Sequence, residues 1–352
     1  MHNFTYTQLP SRVIFGVGSF DRLAEEVARL GAGKAIVLSL PEQRDLAEEA
    51  TGRLGERAAG IFAEAVMHVP IETARAARAE AKRLGADCAV AIGGGSTTGL
   101  GKAIALESGL PIIAVPTTYA GSEMTPIFGL TEGGLKKTGR DPRVLPKTVI
   151  YDPALTVSLP AKVSGPSGMN AIAHCVEALY AQDANPITSL MAAEGIRALA
   201  RALPIVVREP ANIAARSDAL YGAWLAGAAL GTVGMALHHK LCHTLGGSFN
   251  LPHAEVHTVI LPHATAYNRN AVPEAMTAIA AALGAKDAAQ GLYDLAQRIG
   301  APLTLKEIGM PADGIDRAAR LATENPYYNP RPVEYEGIKR LLDDAFSGKR
   351  PS

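Results

Sequence analysis

Short apolar runs alternate with helical patterns through the first part of the chain, and this alternation restricts its fold more than any other feature. Four runs end at glycine, proline or threonine: KAIVLSL from Lys34, CAVAIGGG from Cys88, PIIAVPTT from Pro111 and KTVIYDP from Lys147. Continuous apolar runs of this length are typical of parallel strands buried on both faces. Between them, the segment TARAARAEAKRLGA has helical periodicity. We therefore predict an α/β fold with a doubly wound parallel sheet.

The second half of the chain has a different pattern. From about Asp152 onward, helical stretches rich in alanine and leucine follow one another with few β-branched runs between them. Examples are SLMAAEGIRALARAL, SDALYGAWLAGAAL and AVPEAMTAIAAALGA. A proline-marked turn in DPALTVSLPAKV separates the two patterns. We predict an α/β domain over residues 1–155 and an all-helical domain over residues 156–352.

Charge and hydropathy exclude several classes of partner. The 34 basic side chains balance 34 acidic ones, so no overall field attracts nucleic acid or an anionic membrane. The first residues, MHNFTYTQLPSRVIFG, lack the pattern of a secretory signal, and no uninterrupted apolar run reaches about 18 residues. The three cysteines lie in apolar contexts, which favours reduced, buried thiols. We expect a cytoplasmic protein that binds neither nucleic acid nor a membrane.

Three consecutive glycines follow the second predicted strand, in AIGGGSTTGLGKAIAL from Ala91. Glycine allows a ligand to approach the backbone closely, and the exposed amides at a helix start can bind a diphosphate. A plain strand-to-helix turn is the alternative. The loop lies at the carboxyl end of a predicted parallel strand, where such sheets bind their ligands, and this position favours a phosphate site.

Hydroxyl side chains cluster at the end of the next predicted strand, in VPTTYAGSEMTP. They are Thr117, Thr118, Tyr119, Ser122 and Thr125. They could bond the ribose or amide of a cofactor, or they could cap local turns. Together with the glycine loop they favour a dinucleotide. The early strand VLSLPEQ ends in Ser39 and Leu40, with no acid to repel a 2′-phosphate, so we predict that NADH and NADPH are both used.

Polar residues stand out in two otherwise apolar helical segments. In GMNAIAHCVEAL, Asn170 and His174 lie one turn apart, and the stretch from Ala236 holds six of the nine histidines. There, His239 and His243 share a helix face, and the turn-like GGSFN can bring His253 to the same space. A neutral amide at position 170 should weaken a metal site that gains from a carboxylate, so we expect that no metal is required. The alternative is that Asn170 bonds nearby backbone.

These residues resemble the iron-containing alcohol dehydrogenase superfamily, whose members carry GGGSxxDxxK, PTTxxxGSE, DxxxH and HxxxHxLG followed by PH. The chain has GGGSTTGLGK, PTTYAGSE, NAIAH, HKLCHTLG and LPH. It departs at Gly99 and Asn170, which stand where the superfamily has aspartates. With PTTYAGSEMTP and ENPYYNPRPVEYEG, these departures resemble the branch made up of maleylacetate reductases.

The resemblance implies a Rossmann-like domain followed by a helical domain, as in dehydroquinate synthase-like proteins, with a cofactor cleft between them and a homodimer. It implies these cofactor contacts: Gly94, Gly95, Ser96, Thr117, Thr118, Thr125 and Lys147. It places His174, His239 and His253, together with Asn170, where relatives keep a metal, and His243 near the nicotinamide. Arg331, Tyr328 and Tyr119 are the candidate substrate contacts; a surface role is the alternative for Arg331.

The activity that the resemblance implies is reduction of the carbon–carbon double bond of maleylacetate to 3-oxoadipate with NADH or NADPH. Charge then collects on a ketone oxygen as an enolate, which positioned hydrogen-bond donors can stabilise without a Lewis acid. We take His243 as the preferred proton donor. Alternatives are a metal-dependent alcohol dehydrogenase, a lyase of the dehydroquinate synthase type, and a binding protein with an inactive site.

Overall fold

The computed structural model describes residues 4–7, 9, 11–133 and 135–351, and these divide into two compact units. One unit is Leu9–Ser158, and the other is Leu159–Ser352 together with residues 4–7. Each unit has its own fold. In the described part of the chain, all strands belong to the first unit.

The first unit is built on a six-stranded parallel sheet in the order β1-β8-β5-β4-β2-β3. Its strands are β1 Arg12–Phe15, β2 Ala35–Leu38, β3 Ala58–Phe62, β4 Cys88–Gly93, β5 Ile112–Pro116 and β8 Thr148–Tyr151. An antiparallel hairpin is formed by β6 Ile127–Glu132 and β7 Leu135–Arg140. The four predicted strands correspond to β2, β4, β5 and β8, and the predicted parallel sheet is confirmed.

Both faces of this sheet are covered by helices, which explains why its central strands are apolar at every position. The helices are α1 Leu23–Arg29, α2 Arg44–Leu54, α3 Ile71–Arg83 and α4 Gly95–Ser108. Alternate residues of β2 face opposite cores: Val37 packs with residues of α1 and α2, and Ile36 packs with residues of α3 and α4. Full burial of one such side chain contributes about 1.5–3 kcal/mol relative to exposure.

The described part of the second unit is helical, as predicted. Its helices are α5 Ala161–Ala178, α6 Pro186–Arg208, α7 Ile213–Thr232, α8 Leu237–Phe249, α9 His253–Asn268, α10 Pro273–Leu283, α11 Ala288–Arg298, α12 Gly314–Thr323 and α13 Tyr335–Ser347. Helix α5 is central and packs against α6, α7 and α9. At Gly168 a Cβ would lie 2.3 Å from Leu203, so only glycine allows α6 to come this close.

Helices α7 and α8 follow one another along the chain and are both rich in apolar residues. Within the described ranges, no single helix has the length and hydropathy of a membrane span. The pair α7 and α8 meets such a test only when the two are joined, and they are bent by 97° at their break.

Candidate active site

The glycine loop after β4 turns directly into helix α4. Gly93 has φ of 148°, in a region that favours glycine, and a Cβ there would lie 2.6 Å from Thr97 Oγ1. Gly94 is the N-cap residue and Gly95 begins the helix, and no side chain caps this end among the residues described. The first amides of a 14-residue helix are therefore available to an anion.

The hydroxyl loop after β5 lies beside the glycine loop. The backbone N–H of Thr117 donates to the carbonyl of Gly93 at 2.9 Å, and the Thr117 hydroxyl accepts a bond from Gln43 at 3.0 Å. A Cβ on Gly94 would lie 3.1 Å from the side chain of Thr118, so a larger residue at this position would crowd the hydroxyl loop. The structure thus brings Gly94, Gly95, Ser96, Thr117 and Thr118 to one edge of the sheet.

Thr125 has a different place from the one expected. Its hydroxyl accepts a bond from Lys102 Nζ at 2.9 Å and donates to the carbonyl of Ser122 at 3.1 Å. Lys102 also donates to the carbonyls of Ser122, Thr125 and Ile127, at 2.6, 2.8 and 2.7 Å. Thr125 therefore anchors the loop, because its buried hydroxyl is bonded to Lys102 and Ser122.

Lys102 was not singled out from the sequence, although it is the lysine of the GGGSTTGLGK motif. Its side chain is fully buried, and burial lowers its pKa to about 7, opposed by the charge of Glu123. Glu123 is also buried and accepts a bond from the Tyr151 hydroxyl at 2.7 Å. Burial raises the pKa of the Glu123 carboxyl. This network holds the hydroxyl loop to helix α4.

Lys147 is at the wrong edge of the sheet for the cofactor role predicted for it. It precedes β8, and its backbone N–H donates to the carbonyl of Ile112, the first residue of β5. Gly93 and Pro116 pair at the opposite, carboxyl edge, about 13 Å along the strand. Tyr119, a candidate substrate contact, follows β5 at the carboxyl edge and is fully buried.

In the helical unit, three buried residues form a hydrogen-bonded chain. Nδ1 of His174, on α5, lies 2.9 Å from Nε2 of His239, on α8, and Nδ1 of His239 lies 2.7 Å from Glu177. The Glu177 carboxylate also accepts the backbone N–H groups of Ala236 and His238 at 2.8 and 2.6 Å. It therefore caps the start of α8 and holds the ring of His239 in one orientation.

Sequence reasoning missed Glu177. It lies three residues after His174, and this spacing places both side chains on one face of α5. That spacing was the available signal. The bond of Glu177 to His239 on α8 could not be predicted from the sequence, because that contact depends on how α5 and α8 pack.

Asn170 lies one turn before His174, and its Oδ1 atom has no hydrogen-bond partner among the described residues. The side chain is only 5% exposed. An unpaired buried acceptor of this kind marks a place for a ligand or a water. It does not supply the anionic ligand that iron or zinc favours in a site with three histidines.

The expected metal corner does not fit a metal well. The nearby carboxylate, Glu177, bonds Nδ1 of His239. The other ring nitrogen of His239, Nε2, lies 2.9 Å from Nδ1 of His174. In a tetrahedral site, two imidazole nitrogens are separated by about 3.3 Å and both point at the ion. The donor set of this corner is thus an amide and imidazoles, with no carboxylate among them.

A second buried group has donor atoms close enough to hold a metal. Its members are His238, Cys242 and His257, whose ligand atoms all lie within 4.8 Å of one another. Nε2 of His238 bonds Nδ1 of His257 at 2.9 Å. Burial lowers the pKa of both rings well below the usual value and raises that of the Cys242 thiol. These residues are neutral parts of the core, which agrees with the prediction of reduced, buried cysteines.

The other two predicted histidines lie at the more accessible side of this cluster. The ring centroid of half-buried His253 is 4.5 Å from that of His257. His243 is exposed, and its Nδ1 atom lies 3.0 Å from the hydroxyl of Tyr327. The structure therefore gathers His174, His239, His253 and His243 in one region, as predicted.

Two of the three candidate substrate contacts, Arg331 and Tyr328, lie on the irregular segment before α13. Arg331 Nη1 donates to the carbonyl of Tyr267 at 2.9 Å, and its guanidinium lies 4.0 Å from the centre of the Tyr267 ring. Tyr328 lines a small cavity of about 170 Å³ with Asp183 and Met235. Lys240 Nζ, on α8, donates to the carbonyl of Glu324 at 3.0 Å.

Comparison with known proteins agrees with this fold. A family model described as iron-containing alcohol dehydrogenase matches residues 10–153, and one described as Fe-containing alcohol dehydrogenase family, C-terminal, matches residues 165–346. The chain belongs to this family, and the predicted resemblance is confirmed. It is 61% identical to the maleylacetate reductase of Burkholderia cepacia, over 100% of both chains.

Two solved structures show the same architecture. The maleylacetate reductase from Rhizobium sp. strain MTP-10005 has a TM-score of 0.96 at 55% identity, and the match covers 100% of both chains. A 1,3-propanediol oxidoreductase has a TM-score of 0.93 at 29% identity, covering 98% of this chain and 100% of the other. The fold is therefore shared across the family, while the sequence is nearer to the first of these two structures.

Proposed function

We propose that this chain is a maleylacetate reductase, an NADH- or NADPH-dependent oxidoreductase of aromatic-compound degradation. The observation that carries the proposal is the 61% identity to a maleylacetate reductase over the whole of both chains. The amide at position 170, which replaces a carboxylate ligand, is consistent with this proposal, because reduction of the alkene needs no Lewis acid on a carbonyl. A homodimer and the use of both cofactors remain predictions.

The reaction adds one hydride and one proton across the double bond of maleylacetate. A bound reduced nicotinamide supplies the hydride, which forms a C–H bond at the alkene carbon β to the ketone. The electron pair of the alkene moves to the ketone oxygen and forms an enolate. A proton then returns to the carbon next to the ketone, and 3-oxoadipate and the oxidised cofactor are the products.

The residues of the first unit bind and orient the dinucleotide. The uncapped amides at the start of α4 meet the diphosphate, and Gly94 gives it room beside Thr118. Thr117 and Thr118 offer hydroxyls at the same edge. The buried Lys102 keeps these groups in place by holding the end of their loop.

The residues of the second unit provide neutral hydrogen-bonding groups for the substrate. Asn170, His174 and His253 form walls that carry no fixed charge of their own, which suits a substrate that already has two carboxylates. His243 is the proton donor to the enolate carbon, because its ring is exposed and a histidine exchanges protons near neutral pH. A wall of donors of this kind stabilises an enolate oxygen.

Arg331 is the proposed partner of one substrate carboxylate. Its Nη1 atom donates to the Tyr267 carbonyl and its Cζ atom lies over the Tyr267 ring, so the guanidinium is held in place. A planar guanidinium fixed in this way can offer two further N–H groups to a carboxylate. Tyr328 and Tyr119 stay as further candidate contacts.

The test is a comparison of substrates. The purified protein should oxidise NADH in the presence of maleylacetate and form 3-oxoadipate, identified by mass spectrometry, with one NADH consumed per product. Simple alcohols with the oxidised cofactor should give turnover lower by orders of magnitude. Efficient alcohol oxidation with no reduction of maleylacetate would show a metal-dependent alcohol dehydrogenase instead.

A further inference from the structure

Residues 324–334 form an irregular segment between α12 and α13, which we call the tyrosine strap. Asn329 and Asn268 exchange two amide hydrogen bonds, at 2.9 and 2.7 Å, and the Tyr267 hydroxyl donates to the carbonyl of Pro332 at 2.7 Å. At its other end, the carbonyl of Glu324 accepts the bond from Lys240. The strap is therefore fixed at both ends to helices α8 and α9.

Tyr327 lies between these anchors and contacts His243. Its hydroxyl is 3.0 Å from Nδ1 of His243, and the two rings meet edge to face with centroids 6.0 Å apart. Tyr327 is 38% exposed. Since the strap is held on both sides, the hydroxyl can keep this position without support from a substrate.

The direction of this hydrogen bond decides which ring nitrogen of His243 carries the proton. Partial burial raises the pKa of the Tyr327 phenol, so the phenol keeps its proton at neutral pH and can donate it to a hydrogen bond. When the hydroxyl donates to Nδ1, the proton of the neutral imidazole must lie on Nε2. Nε2 can then deliver its proton while Nδ1 takes the hydroxyl proton of Tyr327, so the ring stays neutral, and the partly exposed phenolate regains a proton from solvent.

We propose that Tyr327 is a positioning residue that donates to Nδ1 of His243 and so directs the Nε2–H group toward the substrate. This rests on the proposed function, in which His243 protonates the enolate. The sequence favoured the neighbouring Tyr328, whose surroundings are the small cavity beside Asp183 and Met235. Tyr327, not Tyr328, has the bond to the proton donor.

The first test is the substitution Tyr327→Phe, which removes the hydroxyl and keeps the ring. Loss of one hydrogen bond that orients a proton donor should lower kcat about tenfold while KM for maleylacetate stays within about twofold. Tyr293→Phe, on α11, is the matched control, because it removes a hydroxyl that bonds a backbone carbonyl. It should leave kcat unchanged, and the two variants should unfold at similar temperatures.

The second test is a double-mutant cycle with His243→Ala. If Tyr327 acts through His243, Tyr327→Phe should have no further effect on kcat once the imidazole is gone. An undiminished tenfold loss in the His243→Ala background, or wild-type kcat in Tyr327→Phe alone, would overturn the proposal. Full turnover in His243→Ala would instead show that the proton-donor role of His243 is wrong.

The third test does not depend on activity. In protein labelled with ¹⁵N-histidine, nitrogen chemical shifts report which ring nitrogen of His243 is protonated. We expect the Nε2–H form in the wild-type chain and a mixture of both forms in Tyr327→Phe. A wild-type ring protonated on Nδ1 would contradict the positioning role even if maleylacetate reductase activity is confirmed.

Discussion

The Glu177 carboxylate lies 2.7 Å from Nδ1 of His239, and this pair joins helix α5 to the start of helix α8. Both residues are buried, with Glu177 fully so. The same carboxylate accepts three backbone N–H groups at the start of α8, from Ala236, His238 and His239. One acid therefore caps a helix and sets the orientation of a ring in the candidate active site.

Glu177→Gln should destabilise the protein. An amide places an N–H group where the structure needs an acceptor, so a backbone or ring N–H loses its partner. We expect the free energy of unfolding to fall by about 1–3 kcal/mol, measured by urea denaturation. Glu274→Gln, at an exposed position of α10, is the control and should change it by less than about 0.5 kcal/mol. Equal effects of the two changes would refute the role of Glu177.

Asn170→Asp should restore a metal corner. A carboxylate one turn before His174 adds the anionic ligand that the chain lacks, so bound zinc or iron should rise to about one ion per chain. Reduction of maleylacetate should fall, because a new negative charge faces a dianion. Asn170→Ala is the control and should gain no metal. The metal content of both variants is measured by mass spectrometry. Equal metal content in the two would contradict the prediction that a carboxylate at position 170 creates a metal site.

Acid should destabilise the fold through His263. Burial lowers the pKa of this ring to about 4, with smaller effects from the charges of Asp344 and Lys349. The unfolded chain, with the usual histidine pKa near 6.5, binds more protons between these values, so stability is lost as pH falls from about 6.5 toward 4. The full shift corresponds to about 3 kcal/mol. His263→Leu should flatten this part of the stability profile in urea titrations; an unchanged slope would contradict the assignment.

Lys102→Met should weaken cofactor binding. The substitution removes the ammonium group that holds the end of the hydroxyl loop, so NADH should bind about tenfold less tightly, as for loss of a charged hydrogen bond. Fluorescence titration with NADH measures the dissociation constant directly. Lys34→Met, at an exposed position before β2, is the control. Identical affinities in the two variants would show that Lys102 does not position the loop.

The sequence predicted the central strands and the helical half because burial on two faces leaves an unmistakable apolar pattern. Strands β1 and β3 were missed because they are the two edge strands of the sheet and are only partly buried, so RVIF and AAGIF give no continuous buried apolar run. The hairpin of β6 and β7 carries many polar residues, and β6 is half-buried or exposed at every position. Tertiary packing, not local pattern, decides these elements.

For the site, helical spacing predicted which histidines would lie in the same region. It could not predict the contacts that these residues make with neighbouring helices. The bond between His174 and His239 depends on packing of α5 against α8. The sequence could not show whether Tyr327 or Tyr328 contacts His243, because side chains in an irregular segment do not alternate with a regular period. Lys147 was the avoidable error: a residue before a parallel strand lies at its amino edge.

The central claim is that this active site reduces a conjugated alkene without a metal ion. The direct measurement is the rate of NADH oxidation by maleylacetate before and after dialysis against a strong chelator, with metal content determined on the same samples. We predict equal rates in samples holding well below one ion per chain. Loss of activity on metal removal, recovered by stoichiometric iron or zinc, would contradict the account.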